Sequence, residues 1–117
     1  MKDLTAVAHQ LIIPAIGGYE IVDTGSIIRI EAISNYSRLY FANGKTMVVS
    51  KVLRWFEEQL VLQPFIRTHR THLINRNFIC YYINGNRGKV QLLNGEWIDV
   101  SKRKKSHFLL SWKNKAA

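Results

Sequence analysis

Phe78-Ile79-Cys80-Tyr81-Tyr82-Ile83-Asn84-Gly85-Asn86-Arg87-Gly88-Lys89-Val90-Gln91-Leu92-Leu93-Asn94-Gly95-Glu96-Trp97-Ile98-Asp99-Val100 is three apolar runs broken twice by Asn-Gly. Asn and Gly tolerate positive φ, and Asn-Gly between β-branched or aromatic runs is the strongest short-range hairpin signal, normally a type I′ turn. Residues 78–83, 89–93 and 96–100 therefore read as a three-stranded antiparallel meander, with a longer loop at Asn84–Gly88. A third Asn-Gly pair, Asn43-Gly44, joins 38–42 to 45–49 in the same way.

Working outward, residues 11–14, 19–23 and 27–33 are rich in Ile and separated by Gly17-Gly18 and Thr24-Gly25, which makes them further strands. In the last of these, Ile28, Ile30 and Ala32 alternate with Arg29 and Glu31, but Ile27 and Ile33 break the polar side and leave the faces unassigned. The period changes at Val52. Val52, Leu53, Phe56 and Leu60 fall at helical spacing, with Trp55 on the flank, Ser50 as an N-cap and Pro64 beyond the end, so a short helix is expected at about 51–60. Phe108, Leu109 and Trp112 would share a side of a second candidate helix at about 104–112. The expected class is mainly β in one domain, about residues 10–112, with 1–9 as a tail or inter-domain remnant and 113–117 as a basic tail.

Hydrophobic residues form 47% of the chain, enough for a packed core. The 17 Lys and Arg against 8 Asp and Glu leave a net charge of +9, which calls for an anionic partner. No acid lies between Glu58 and Glu96 or after Asp99, so two stretches are purely cationic. No apolar run approaches the roughly 18 residues of a membrane span and no signal-peptide core follows Met1, so no membrane association and a cytoplasmic location are expected. The single cysteine, Cys80, sits in an apolar run and reads as a small buried hydrophobe. No catalytic motif stands out: His69 and His72 lack the Glu and spacing of a zinc protease helix, no acidic cluster would hold magnesium, and no Gly-rich phosphate loop precedes a helix. No enzyme activity, metal or cofactor is expected.

Three polar segments carry the chemistry. In Pro64-Phe65-Ile66-Arg67-Thr68-His69-Arg70-Thr71-His72-Leu73-Ile74-Asn75, apolar flanks bracket a centre of two Arg, two His and two Thr, groups suited to guanine edges and phosphate. Asn35-Tyr36-Ser37-Arg38 connects the 27–33 strand to the first hairpin and holds side chains of the base-reading kind. Val100-Ser101-Lys102-Arg103-Lys104-Lys105 is a basic cluster just past a strand end, a phosphate footprint.

In this order, the segments resemble the LytTR family, the C-terminal DNA-binding domain of many bacterial response regulators. The resemblance rests on Ile30-Glu31-Ala32-Ile33-Ser34-Asn35-Tyr36, on Ser50-Lys51-Val52-Leu53, on Phe65 to Asn75, and on Val100-Ser101-Lys102-Arg103, and it covers about residues 10–112. It implies about ten short strands in stacked antiparallel sheets, and a transcriptional regulator whose loops enter successive grooves of double-stranded DNA and bend it. The base-reading positions it implies fall on Ser37 or Arg38, on Arg70, and on Lys102 or Arg103, with Asn35 a further candidate. Phosphate contacts are then expected from Tyr36, Lys45, Arg67, His69, Thr71, Asn75, Ser101, Lys104 and Lys105. A second copy on direct-repeat half-sites and an upstream receiver domain are partners of the same origin. The chain departs from the family at Lys102, where Arg is common and Lys cannot make a forked guanine contact, and at Thr71 and His72. The alternative reading is a small basic β domain that binds RNA, through Tyr36, Tyr40, Tyr81 and Tyr82, or an acidic surface.

Overall fold

The computed structural model describes residues 9–85 and 87–116, without side chains for 113–116. Of the expected terminal tails, residues 1–8 and 117 lie outside the described residues, and the backbone of 113–116 is helical. The elements are β1 (Gln10–Ala15), β2 (Gly18–Asp23), β3 (Ile27–Ile33), β4 (Tyr36–Phe41), β5 (Thr46–Val49), α1 (Leu53–Gln59), β6 (Phe65–His69), β7 (His72–Asn75), β8 (Ile79–Ile83), β9 (Gly88–Leu92), β10 (Trp97–Val100) and α2 (Lys105–Ala116). The ten strands form three antiparallel sheets: β1-β2, a five-stranded sheet in the order β5-β4-β3-β7-β6, and β10-β9-β8.

The five-stranded sheet carries apolar packing on both faces. On one side Ile27, Ile30, Leu39, Val49 and Leu73 pack with Leu11 and Ile13 of β1 and with Leu53, Phe56 and Leu60 in and after α1. On the other, Ile28, Ile66 and Ile74 meet Ile79, Val90, Leu92, Ile98 and Val100 of the three-stranded sheet and Phe108 of α2. β3 is central to both. It hydrogen-bonds to β4 and β7, and an irregularity in its register with β4 falls between Ile27 and Arg29. Ile27 through Ile30 are all buried as a result, the reason that its faces could not be assigned from alternation.

Two hairpins share a turn that differs from the expected one. In Phe41-Ala42-Asn43-Gly44-Lys45 the Gly44 N–H donates to the Phe41 carbonyl (3.0 Å) and Phe41 N–H to Lys45 (2.9 Å); Leu92 to Glu96 repeats both bonds. Only the glycines have positive φ, +87° at Gly44 and +92° at Gly95, and neither Asn43 nor Asn94 does. Each is a three-residue loop, a type I turn closed by a left-handed glycine, in place of type I′. Each Asn carboxamide instead accepts the N–H two residues on, from Lys45 and from Glu96.

The helix after β5 begins two residues later than expected. Its N-cap is Val52, without a side-chain cap bond, so Ser50 does not cap it. Phe56 is fully buried at its centre and meets Trp55 edge to face at 4.9 Å. The second helix forms where expected and runs on to Ala116. Its Phe108 is fully buried and stacks on Trp112 at 5.5 Å and against Tyr82 at 5.4 Å. Gly88 is required beside that cluster, since a Cβ there would strike the Tyr82 phenol. Cys80, expected to be buried, is exposed. The β8–β9 register shifts between Ile79 and Tyr81, and Cys80 is the unpaired residue of that bulge.

Candidate nucleic-acid interface

The segment expected to be a rigid polar centre folds as two strands. β6 buries Ile66 and Thr68 and leaves Arg67 and His69 half-exposed; β7 buries Leu73, Ile74 and Asn75. Between them stand Arg70, exposed, and Thr71. This turn is braced from below by Arg67, whose Nε donates to the His69 carbonyl at 2.9 Å and whose Nη2 donates to the Arg70 carbonyl at 2.6 Å. Nη1 of Arg67 reaches Glu57 of α1 at 2.8 Å. Three of the five guanidinium N–H groups are thereby used inside the protein, so Arg67, expected on phosphate, is first a brace for the turn. His69 Nδ1 lies 2.9 Å from the Thr71 hydroxyl and accepts the Thr71 N–H at 3.2 Å, which leaves Nε2 as the ring atom open to a ligand.

The basic segment after β10 is fastened to the same turn. Ser101 N–H donates to the Thr68 carbonyl at 2.7 Å, and the Ser101 carbonyl and hydroxyl both accept Lys104 N–H, at 3.0 and 3.2 Å. Ser101 thus opens α2 and leaves Lys102 and Arg103 exposed, with Arg103 on the side of Arg70. Two clefts adjoin here. One, of about 330 Å³, is lined by Arg67, His69, Arg70, Ser101, Arg103 and Lys104. The other, of about 660 Å³, is lined by His69, Arg87, Asp99, Val100, Ser101 and Lys102. Arg87 belongs to this surface and was not among the expected residues; its only sequence signal was one more cation in a Gly-Asn loop.

The topology decides which other residues join. Ala32 N–H donates to the Thr71 carbonyl at 2.9 Å, and Glu31 pairs with His72, so the Arg70–Thr71 turn and the Ser34–Asn35 turn lie at the same end of the five-stranded sheet. Asn35 is exposed there, next to Ser34, the one non-glycine with positive φ (+58°) among the described residues. Neighbouring strands are about 4.8 Å apart, which separates the two hairpins by about two to three strand spacings.

Six further expected residues have other settings. Ser37 lies within β4, fully buried, its hydroxyl donating to the Lys51 carbonyl at 2.7 Å. Asn75 is 1% exposed, donates to the Ile27 carbonyl at 3.0 Å and accepts Asn77 N–H. Both are buried with their polar atoms on backbone groups, and of the pair Ser37 or Arg38 only Arg38 keeps an accessible side chain. Arg38 and Tyr36 are half-buried on β4, with Arg38 across from Glu31 and Val48. Lys45 is exposed in the β4–β5 turn, at the end of the sheet opposite Asn35. Lys105 is half-buried, with Nζ donating to the Gly85 carbonyl at 3.2 Å.

Behind the turns lies a buried polar group that sequence reasoning missed. Arg29 makes a two-point bond to Glu96, Nε to Oε1 at 3.1 Å and Nη2 to Oε2 at 3.0 Å, and its guanidinium lies 3.7 Å from the Tyr40 ring centre. Tyr40 in turn donates to Glu31 at 2.7 Å. Burial works against the Arg29 charge, but Glu96, with Tyr40 and Glu31, outweighs it and holds the pKa above its ordinary value. The Arg29 hydrogen bond lowers that of Glu96. His72 is lowered, first by burial and then by Arg29, so it stands neutral.

Among the described residues no group of three metal-ligating side chains occurs, and no helix is long and apolar enough to cross a membrane. What the fold offers is a set of cationic turns held side by side on a mainly β frame. The family model of the LytTr DNA-binding domain matches residues 17–113, and the chain belongs to that family of DNA-binding domains. Among solved structures it is similar to the LytTr DNA-binding domain of a protein described as a methyl-accepting/DNA response regulator from Bacillus cereus. The identity is 23%, the TM-score 0.74, and the match covers 88% of this chain and 95% of that one. No curated protein matches.

Proposed function

We propose that this chain is a cytoplasmic transcriptional regulator that binds a specific duplex site, either as the output domain of a response regulator or on its own. Arg70 reads a base edge, Lys102 or Arg103 reads a second, and Asn35 reaches a third from the neighbouring turn. Arg38, Tyr36, His69, Thr71, Ser101, Arg87 and Lys104 line the backbone path. The observation that carries this is the 2.7 Å bond from Ser101 to Thr68, which holds the two most basic turns side by side. Turns spread along one end of a stiff sheet meet successive grooves of a straight duplex imperfectly, so binding bends it.

The test is selection from random duplexes, followed by titration of the recovered site against random duplex, single-stranded DNA and RNA of equal length. A shared motif bound far more tightly than the other three is the expected result, with affinity falling steeply as salt rises because several cations displace condensed counterions. No enriched motif, or equal affinity for RNA, would overturn it.

A further inference from the structure

The β1-β2 hairpin presents a face that none of the described residues covers. Its inward residues, Leu11 and Ile13, belong to the core. Its outward rows are Ile12 opposite Ile21 and Pro14 opposite Tyr19, with Ile16 at the tip. Ile12 is 56% exposed, Tyr19 73%, Ile21 62% and Ile16 107%. Single exposed apolar side chains are ordinary, but a contiguous row of five on one small sheet marks an interaction surface.

Charge selects the partner. Residues 3–28 are the longest run of the sequence without Lys or Arg, and the hairpin carries Glu20 and Asp23. The chain as a whole is +9, so two copies repel through most of their surfaces. The hairpin is where they approach without that penalty. Its exposed side chains offer on the order of 500 Å² per copy, or roughly 1,000 Å² for a pair, the lower bound of a specific and transient interface. Rows that pair Ile with Ile can face their own copy across a twofold axis, as an isologous contact requires.

We infer that the outer face of the β1-β2 hairpin is a self-association surface that joins two copies of this chain. The contact is independent of how the basic turns meet DNA. Because it is twofold, the copies it joins face inverted half-sites, and copies on direct repeats would sit side by side without it.

Salt separates the two activities. Pairing strengthens as salt screens the net repulsion and favours apolar burial, whereas DNA binding weakens. Sedimentation equilibrium of the chain without DNA, over a range of concentration at low and high sodium chloride, should show a mass rising from one copy toward two, more so at high salt. Ile21→Lys should weaken this at least tenfold while circular dichroism and single-site DNA affinity stay unchanged, and Tyr19→Lys replaces it should that variant misfold. A mass of one copy under all conditions, or pairing unaltered by the Lys variant, would overturn the inference. Loss of sequence-specific binding with pairing intact would instead strike the DNA-reading proposal alone.

Discussion

The Arg67 guanidinium donates to the carbonyl oxygen of Arg70, three residues on, at 2.6 Å. A cation held inside the turn thus fixes the backbone that carries the exposed cation. With Nη1 also on Glu57 and Nε on the His69 carbonyl, one side chain ties β6, the turn and α1 together. Arg67→Lys keeps the charge but cannot span three acceptors from one planar group. Charge-assisted bonds contribute about 1.5–3 kcal/mol each before neighbours compensate. The expected outcome is a Tm lowered by several degrees and a larger loss on the cognate duplex than on random DNA. Equal losses on both would mean that the brace supports the fold and not the reading.

Asn75 tests the opposite assignment. It is buried and holds the Ile27 carbonyl at 3.0 Å, so Asn75→Ala leaves a buried acceptor without that partner at a cost of about 1–3 kcal/mol. Chemical denaturation should report the loss. The ratio of cognate to random affinity, measured below the transition, should not change.

Much of the fold was legible, and the parts that were not depend on contacts that a local pattern does not carry. Hairpins at Asn43-Gly44 and Asn94-Gly95 follow from local chemistry, as does the apolar spacing around Phe56. The burial of Ser37 and Asn75 was not legible, because a small polar residue in a loop-like string and one that satisfies a backbone carbonyl look alike in sequence. Strands β6 and β7 were hidden by Thr68, a buried Thr, and by Arg67, whose partners give it a reason to sit half-buried. The Arg29–Glu96 pair joins residues far apart in sequence, and no local pattern announces it. Cys80 became exposed through a register shift, which alternation cannot show.

His72 makes stability depend on pH. In the folded chain its pKa lies below the ordinary 6.5, because burial and then Arg29 oppose its charge, with His69 adding to this and Glu31 and Asp99 opposing it. The unfolded chain therefore binds more protons as pH falls through about 6.5, and stability decreases from there downward. Glu96 is lowered by its bond to Arg29, so its contribution is present above about 4.5 and lost below. Denaturant midpoints should decline in two stages, one below about pH 6.5 and one below about pH 4.5. His72→Gln should flatten the first stage and leave the second; an unchanged first stage would place the titration on another group.

Phe56 carries the first core. It is fully buried among β3, β4, β7 and the hairpin residues Leu11 and Ile13. Phe56→Ala should cost about 3–5 kcal/mol, read as a lower denaturant midpoint with an unchanged slope. An unaltered midpoint would show that α1 is not held by this contact.

Reading and holding separate at Arg70 and Lys104. Arg70 is exposed on a two-residue turn whose backbone is fixed by Arg67 and by the Thr71 carbonyl bond to Ala32, and the proposed reading has its planar fork meet a base edge from there. Lys104 is half-buried at the start of α2, its N–H fastened to Ser101, and a flexible ammonium there suits phosphate more than a base. Arg70→Ala should cost about 1–3 kcal/mol on the selected site and relax preference at one or two positions. Lys104→Ala should weaken every duplex by a similar factor and reduce the slope of log affinity against log salt by about one. Competition titrations on cognate and random duplexes at three salt concentrations decide both. If Arg70→Ala lowers the two affinities by the same factor, Arg70 is a phosphate contact, and base reading passes to Arg103, Lys102 and Asn35.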